Sequence, residues 1–100
     1  MYMKRRVLIA EDEAALVEML SEVFEDAGFD VIAFESADEA CAQLHQHVGG
    51  LDLLFTDVKM PGEKTGLDLV FAARKYRPEL RAADTLPLFF LPVGYRYGKG

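Results

Sequence analysis

The sequence predicts an α/β protein built around a doubly wound parallel sheet. The segments "RVLIA", "FDVIAF" and "LDLLFT" are short apolar runs rich in branched residues, which is typical of buried strands. Longer segments whose apolar residues recur at helical spacing separate these runs. Strands that alternate with helices imply a parallel sheet with helices on both faces, joined by right-handed crossovers.

The first predicted helix follows "RVLIA" and the acidic triplet "EDE". Its apolar residues fall at steps of one, three and four and comprise Leu16, Val17, Leu20, Val23, Phe24 and Ala27. Gly28 follows at the position of a helix C-cap glycine. After "FDVIAF", Ser36 and Glu39 have the spacing of a capping box and predict the start of a second helix.

The third predicted strand, "LDLLFT", ends at Asp57, and the loop "VKMPGEKTG" leads to a helix over "LDLVFAARKYR". Thr65 and Asp68 are placed to cap this helix, and Pro78 ends it. We expect "ELRAADT" to be a polar connector and "LPLFFL" to be the fourth strand. The chain is thus predicted to be a single domain over 1–100, with a core of about 6–91 and a loose tail at 92–100.

Composition narrows the class of protein. A chain of 100 residues is one domain at most, and a net charge of −6 argues against a nucleic-acid binder, which needs Lys and Arg against phosphates. Cys41 is the single cysteine, so an internal disulfide is impossible and a reducing, cytoplasmic setting is expected. No apolar run approaches the roughly 20 residues that span a bilayer, so no membrane association is expected.

Two of the predicted strands end in acidic residues. Glu11 and Asp12 follow the first strand, and Asp57 follows the third. The carboxyl ends of parallel strands lie at one edge of a sheet, so these carboxylates converge if the two strands are neighbours. A cluster of oxygen ligands suits Mg²⁺, which would also offset the repulsion between the acids. The alternative is that Glu11 and Asp12 only favour the positive end of a helix.

The segments "VLIAEDE" and "DLLFTDVKMPGEKTG" together resemble the receiver domain of two-component response regulators. The resemblance covers about 6–91. Glu11 and Asp12 match the family's acidic pair, and Asp57 matches its phosphorylated aspartate. The fold implied is a flavodoxin-like receiver fold, truncated after the fourth strand.

The loop after Asp57 carries a further part of the resemblance. Met60, Pro61 and Gly66 resemble the family's D-x-x-M-P-x-x-x-G pattern, with Gly66 one residue later than the pattern places its glycine. Pro61 would fix the φ angle of the loop, and Gly66 would supply a turn conformation closed to residues with a Cβ atom.

The function implied by the resemblance is phosphorelay signalling rather than enzymatic turnover. Asp57 would accept a phosphoryl group from a histidine kinase or a phosphotransfer protein. Glu11, Asp12, Asp57 and the backbone carbonyl of Lys59 would hold Mg²⁺, with Glu11 acting mostly through a bound water. A phosphatase of the haloacid-dehalogenase type is a poor match, because that family needs an aspartate where Lys59 stands.

Two departures from the family pattern favour an alternative, a pseudo-receiver that binds partners without phosphorylation. Receivers carry a Ser or Thr at the end of the fourth strand. Counting along "LPLFFL" places Pro92 or Val93 there, while Thr85 precedes the predicted strand. The family's conserved lysine follows a fifth strand, and Lys99 comes too soon to match it.

The apolar run "PLFFL" predicts self-association. A hydrophobic strand at the edge of a sheet invites pairing with another chain, and uncovered apolar surface usually marks an interface. We therefore expect a homodimer that covers the fourth strand.

Overall fold

A computed structural model of the chain describes residues 4–60, 62–85 and 88–91. The elements are β1 (Arg5–Ala10), α1 (Ala14–Asp26), β2 (Phe29–Phe34), α2 (Ala37–His47), a 3₁₀ turn (Val48–Gly50), β3 (Leu53–Thr56), α3 (Gly66–Tyr76), β4 (Arg81–Thr85) and β5 (Leu88–Leu91). Within these residues the strands form one sheet in the order β2-β1-β3-β4-β5. Strands β1 to β4 are parallel, which confirms the predicted flavodoxin-like α/β class.

The two faces of the sheet are covered by different helices. Successive residues of β1 point to opposite faces, as the pleat of a strand requires. On one face Ile9 packs in a cluster with Leu20 of α1. On the other face Leu8 packs in a cluster with Leu44 of α2 and Leu69 of α3. The sheet is therefore doubly wound, with β1 buried between β2 and β3.

Side-chain caps fix the starts of α2 and α3. At α3 the capping box is complete: Thr65 Oγ1 accepts the Asp68 N–H at 3.2 Å, and Asp68 Oδ2 accepts the Thr65 N–H at 2.8 Å. At α2 only half of the predicted box forms. Ser36 Oγ accepts the Glu39 N–H at 3.1 Å, but the Glu39 carboxylate accepts the N–H of Glu35 instead of that of Ser36.

The apolar stripe predicted for α1 is correct on one side of the helix and wrong on the other. Leu20 is buried, and Leu16 and Phe24 pack against the same cluster. Val23, which we had included in the stripe, is 57% exposed. Gly28 follows the helix with a φ of +95°, a conformation that glycine adopts without strain.

The position of the fourth strand corrects the sequence prediction. The segment "ELRAADT", expected to be a connector, contains β4, whose register with β3 runs from Leu53↔Arg81 to Thr56↔Asp84. Ala82 is 1% exposed and packs in the cluster shared with α2 and α3. Alanine is a weak strand former, so the local sequence hides a strand that burial stabilises.

The run expected to be the fourth parallel strand forms β5, which is antiparallel to β4. Thr85 ends β4 and Leu88 begins β5, so two residues connect the strands. Parallel neighbours need a crossover of a dozen or more residues, whereas antiparallel neighbours can be joined by two. Within the described residues the parallel part of the sheet therefore ends with its fourth strand, as predicted, and β5 extends the sheet as an antiparallel strand. Residues 92–100, expected to be a loose tail, lie outside the described residues.

Each helix within the described residues falls short of the length and apolar content that crossing a membrane requires.

The buried position of β4 generates the first prediction. Ala82→Asp places a carboxylate between the sheet and its helices, and an unpaired buried charge costs roughly 3 kcal/mol or more. Urea unfolding followed by circular dichroism should show this loss. Arg81→Asp, at the exposed neighbouring position, should change the free energy of unfolding far less. If the two substitutions lower the free energy of unfolding equally, the segment is not a buried strand but the connector expected from the sequence.

Candidate metal centre

The acidic residues meet because β1 and β3 are neighbours. Ala10 pairs with Thr56 at the ends of the two strands, and the Asp57 N–H donates to the Ala10 carbonyl at 3.1 Å. The residues that follow are therefore level at the carboxyl edge of the sheet. One carboxylate oxygen from each of Glu11, Asp12 and Asp57 lies within 4.8 Å of the others. This is the strand switch point, where ligands bind in doubly wound sheets.

Glu11 is the most unusual member of the cluster. Its side chain is 2% exposed. One oxygen, Oε2, accepts the N–H of Glu13 at 3.0 Å, whereas Oε1 is buried without a hydrogen-bond partner among the described residues. A buried carboxylate oxygen without a partner is costly, so the donor set fits a bound cation that would satisfy it.

The electrostatics of the cluster also favour a bound cation. Burial raises the pKa of Glu11 above its ordinary value of 4.5, and the charges of Asp57 and Asp12 raise it further. The hydrogen bond from the Glu13 N–H opposes this increase. The cluster therefore resists full ionisation by itself, and a divalent cation would relieve that resistance.

Asp57 is held in place by its own backbone neighbours. Its Oδ1 accepts the N–H of Lys59 at 3.1 Å, which fixes the carboxylate over the loop that follows β3. The hydroxyl of Thr56, fully buried, donates to the Asp57 carbonyl at 3.0 Å. Asp57 is half-buried and Asp12 is exposed, so both can be reached from solvent.

Gly66 is needed for a different reason from the one expected. Its φ is not positive, so it does not supply a left-handed turn. A Cβ atom at Gly66 would instead clash with the backbone carbonyl of Asp57, and it would lie 2.8 Å from Thr56 Oγ1. The positive φ of the loop, +113°, belongs to Gly62, which the sequence analysis did not single out. Pro61 lies outside the described residues.

Thr85, expected to precede the fourth strand, is the last residue of β4. Because Asp84 pairs with Thr56, Thr85 follows at the level of Asp57 and ends β4 at the edge where the acids lie. The expectation that Thr85 precedes the fourth strand was therefore wrong. The error followed directly from the misplaced fourth strand.

The remaining predicted positions around the site are not described. Pro92, Val93 and Lys99 lie outside the described residues. Lys59 is exposed in the loop, and the proposed role of its carbonyl as a metal ligand stays a prediction. A groove of about 430 Å³ adjoins the acids and is lined by Glu11, Asp12, Ala14, Val17, Glu18 and Glu35.

The fold and the site define a class. A doubly wound parallel sheet that gathers three carboxylates at its β1–β3 edge is the arrangement of a signalling receiver domain. Comparison with protein families matches residues 7–83 to the response regulator receiver domain. The chain belongs to that family, as the sequence resemblance predicted.

Curated relatives agree with this assignment. The chain is 36% identical over 76 residues to the alginate biosynthesis transcriptional regulatory protein AlgB of Pseudomonas aeruginosa; the match covers 76% of this chain and 16% of AlgB. It is 32% identical over 77 residues to the response regulator receiver protein CpdR of Brucella abortus, covering 77% of this chain and 62% of CpdR. The chain therefore spans a small part of AlgB and less than two thirds of CpdR.

Solved structures share the fold. The receiver domain of the hybrid histidine kinase CckA matches with a TM-score of 0.70 and 31% identity, over 77% of this chain and 70% of that chain. The response regulator TrrA of Thermotoga maritima, solved in complex with Mg²⁺ and BeF, matches with a TM-score of 0.68 and 28% identity, over 78% of this chain and 65% of that chain.

The raised pKa of Glu11 generates the second prediction. A carboxyl group whose pKa is higher in the folded chain than in the unfolded chain destabilises the fold increasingly as pH rises above 4.5. In metal-free buffer, Glu11→Gln should therefore stabilise the chain at pH 7 more than at pH 4, since Gln keeps an acceptor for the Glu13 N–H.

Urea unfolding at a series of pH values measures this difference. Glu13→Gln, an exposed neighbour whose side chain does not cap α1, is the control and should show little pH-dependent gain. A pH-independent effect of Glu11→Gln would contradict the argument from burial.

Proposed function

We propose that this chain receives a phosphoryl group on Asp57 from the phosphohistidine of a histidine kinase or a phosphotransfer protein. The observation that carries the proposal is the cluster of Glu11, Asp12 and Asp57 carboxylates, in which Glu11 Oε1 is buried without a hydrogen-bond partner among the described residues. A site of that kind suits a divalent cation, which would offset the charge on a transferring phosphoryl group. Asp57, the proposed acceptor, is half-buried at the carboxyl edge of the sheet, so a phosphoryl donor could reach it.

The transfer is a displacement at phosphorus. An oxygen of the Asp57 carboxylate forms a bond to phosphorus as the bond from phosphorus to the donor imidazole nitrogen breaks. The electron pair of that bond stays on the imidazole, and the product is an aspartyl phosphate. The chain keeps the phosphoryl group on its own residue, so the proposed role is that of a signalling domain and not of an enzyme with turnover.

Glu11, Asp12, Asp57 and the backbone carbonyl of Lys59 would hold Mg²⁺. When bound, the ion supplies positive charge that offsets the clustered carboxylates and the phosphoryl oxygens. The choice of Mg²⁺ follows from an all-oxygen donor set with open positions.

The protein's own groups orient the acceptor. The Lys59 N–H holds Asp57 Oδ1, which leaves the other carboxylate oxygen for attack. Gly66 lets the backbone at the start of α3 lie against the Asp57 carbonyl. Thr85 follows at the same level on β4, and we assign to it the hydroxyl that other receivers carry at the end of that strand.

A cytoplasmic location fits the proposed partners and the single free cysteine, Cys41. The boundaries of the domain, predicted as 1–100 with a core of about 6–91, enclose the matched residues 7–83.

The third prediction tests the acceptor. With phosphoramidate and Mg²⁺, the intact chain should gain the mass of one phosphoryl group, and Asp57→Asn should gain none because the amide is a poor nucleophile. Intact-mass spectrometry measures the product. Asp52→Asn is the matched control, since Asp52 precedes the same strand at the opposite edge of the sheet and its substitute can still accept the Arg6 N–H.

Two outcomes would count against phosphoacceptance. Labelling that persists in Asp57→Asn would place the acceptor elsewhere. The pseudo-receiver alternative would be favoured if the wild-type chain stays unlabelled and the NMR chemical shifts of Asp57 do not change when beryllofluoride and Mg²⁺ are added.

We also propose that the chain forms a homodimer through the run Leu88–Leu91. This run, predicted to be the fourth strand, is β5, the outer strand of the described sheet. The fourth strand, β4, lies between β3 and β5. The backbone groups on the outer side of an edge strand can pair with a second copy of the same strand.

The fourth prediction concerns this assembly. Light scattering at micromolar concentration should give the mass of two chains, falling towards one on dilution. Phe89→Lys should shift the equilibrium to the monomer, because charged residues on an edge strand oppose pairing. Met19→Lys, at an exposed apolar position on α1, should leave the mass unchanged. A wild-type mass of one chain would exclude the dimer.

A further inference from the structure

The loop from Val58 to Thr65 joins the proposed acceptor to α3 and carries Lys59. At its two ends the loop is tied to its own flanks: the Gly66 N–H donates to the Val58 carbonyl at 3.0 Å, and the Lys59 N–H donates to Asp57. The middle of the loop needs a separate anchor, since backbone groups held only by water leave a loop free to move.

Asp38, in the first turn of α2, provides that anchor. Its Oδ2 accepts the N–H of Glu63 at 3.0 Å, and its Oδ1 accepts the N–H of Lys64 at 2.7 Å. Among the hydrogen bonds of the described residues, these two are the ones that join the loop to an element other than its flanking strand and helix. Bonds from N–H groups to a carboxylate are charge-assisted and are stronger than neutral ones.

Gly62 shows how closely the loop approaches Asp38. Its φ of +113° is a conformation that residues with a Cβ rarely adopt. A Cβ at Gly62 would also clash with Asp38 Oδ2. The glycine thus permits both the turn of the loop and its close contact with the carboxylate.

Asp38 is not needed to cap its own helix. Ser36 already accepts the Glu39 N–H at the start of α2. Both oxygens of Asp38 are instead directed to the loop, across 25 and 26 residues of sequence. An acid in the first turn also favours the helix dipole, but Glu39 occupies the same turn and shares that effect.

We propose that Asp38 is a positioning residue for the metal-binding loop: by clamping Glu63 and Lys64 to α2, it fixes the segment that carries the Lys59 carbonyl. The inference rests on the proposed function for its effect on Mg²⁺. Residues that orient metal ligands through hydrogen bonds typically change metal affinity by about 10- to 100-fold when replaced.

An NMR titration of the intact chain with Mg²⁺ tests the effect of Asp38 on metal affinity. Asp38→Ala should weaken Mg²⁺ binding by about 10-fold. Asp38→Asn keeps one oxygen acceptor and should recover part of the affinity. Glu39→Ala removes the same charge from the same helical turn without touching the loop, so it should leave the affinity unchanged. Equal affinities for Asp38→Ala and Glu39→Ala would overturn the proposal.

A double-mutant cycle with Gly62 tests the contact from the other side. Gly62→Ala should weaken Mg²⁺ binding more in the wild-type background than in the Asp38→Ala background. In the Asp38→Ala background the carboxylate that the new Cβ would clash with is absent, so only the φ strain at position 62 remains. Additive effects would show that the two residues act separately.

Amide exchange separates failure of this inference from failure of the proposed function. In Asp38→Ala the amides of Glu63 and Lys64 should exchange faster, while those of α3 keep their protection. If the wild-type chain binds no Mg²⁺, the proposed metal site is wrong, and the clamp is then judged by exchange alone. Unchanged exchange at both amides would refute the clamp whether or not Mg²⁺ binds.

Discussion

The repulsion among three carboxylates gathered at one edge of the sheet is the constraint on which the rest of the structure depends. Among the described residues one oxygen of the buried Glu11 has no hydrogen-bond partner, and burial together with the charge of Asp57 raises the pKa of Glu11. A fold does not assemble such a cluster for stability, because burial and the charges of Asp57 and Asp12 make Glu11 harder to ionise. The hydrophobic faces of β1 and β3 must supply the free energy that keeps these acids together.

The backbone around the acceptor is built to hold it still. Thr56 and Gly66 fix the Asp57 carbonyl, one through a hydroxyl and the other through the lack of a side chain. Asp38 reaches across from α2 to the loop that follows. The backbone of Asp57 is therefore held against β1 and α3, the loop beyond it is held by α2, and the carboxylate itself accepts the Lys59 N–H at Oδ1.

Local sequence patterns predicted the elements that local physics controls. The branched runs of β1 to β3, the capping box of Thr65 and the acids at the strand ends were readable because each depends on neighbours a few residues away. The fourth strand was misplaced, because "LPLFFL" has stronger strand propensity than "RAADT". Burial of Ala82 against α2 and α3 outweighs that propensity. Because the fourth strand was misplaced, Thr85 was also predicted to precede it instead of ending it.

The sequence by itself determined the α/β class, the receiver family and the identity of the three clustered acids. Only the tertiary structure decided that β1 lies beside β3, that Thr85 shares the edge with Asp57, and that Asp38 holds the loop at Glu63 and Lys64. The physical reason is the sequence separation of the residues that interact. Strand and helix preferences depend on residues nearby in the chain, whereas strand neighbours and the Asp38 clamp join residues far apart in sequence, whose pairing is set by packing of the whole core.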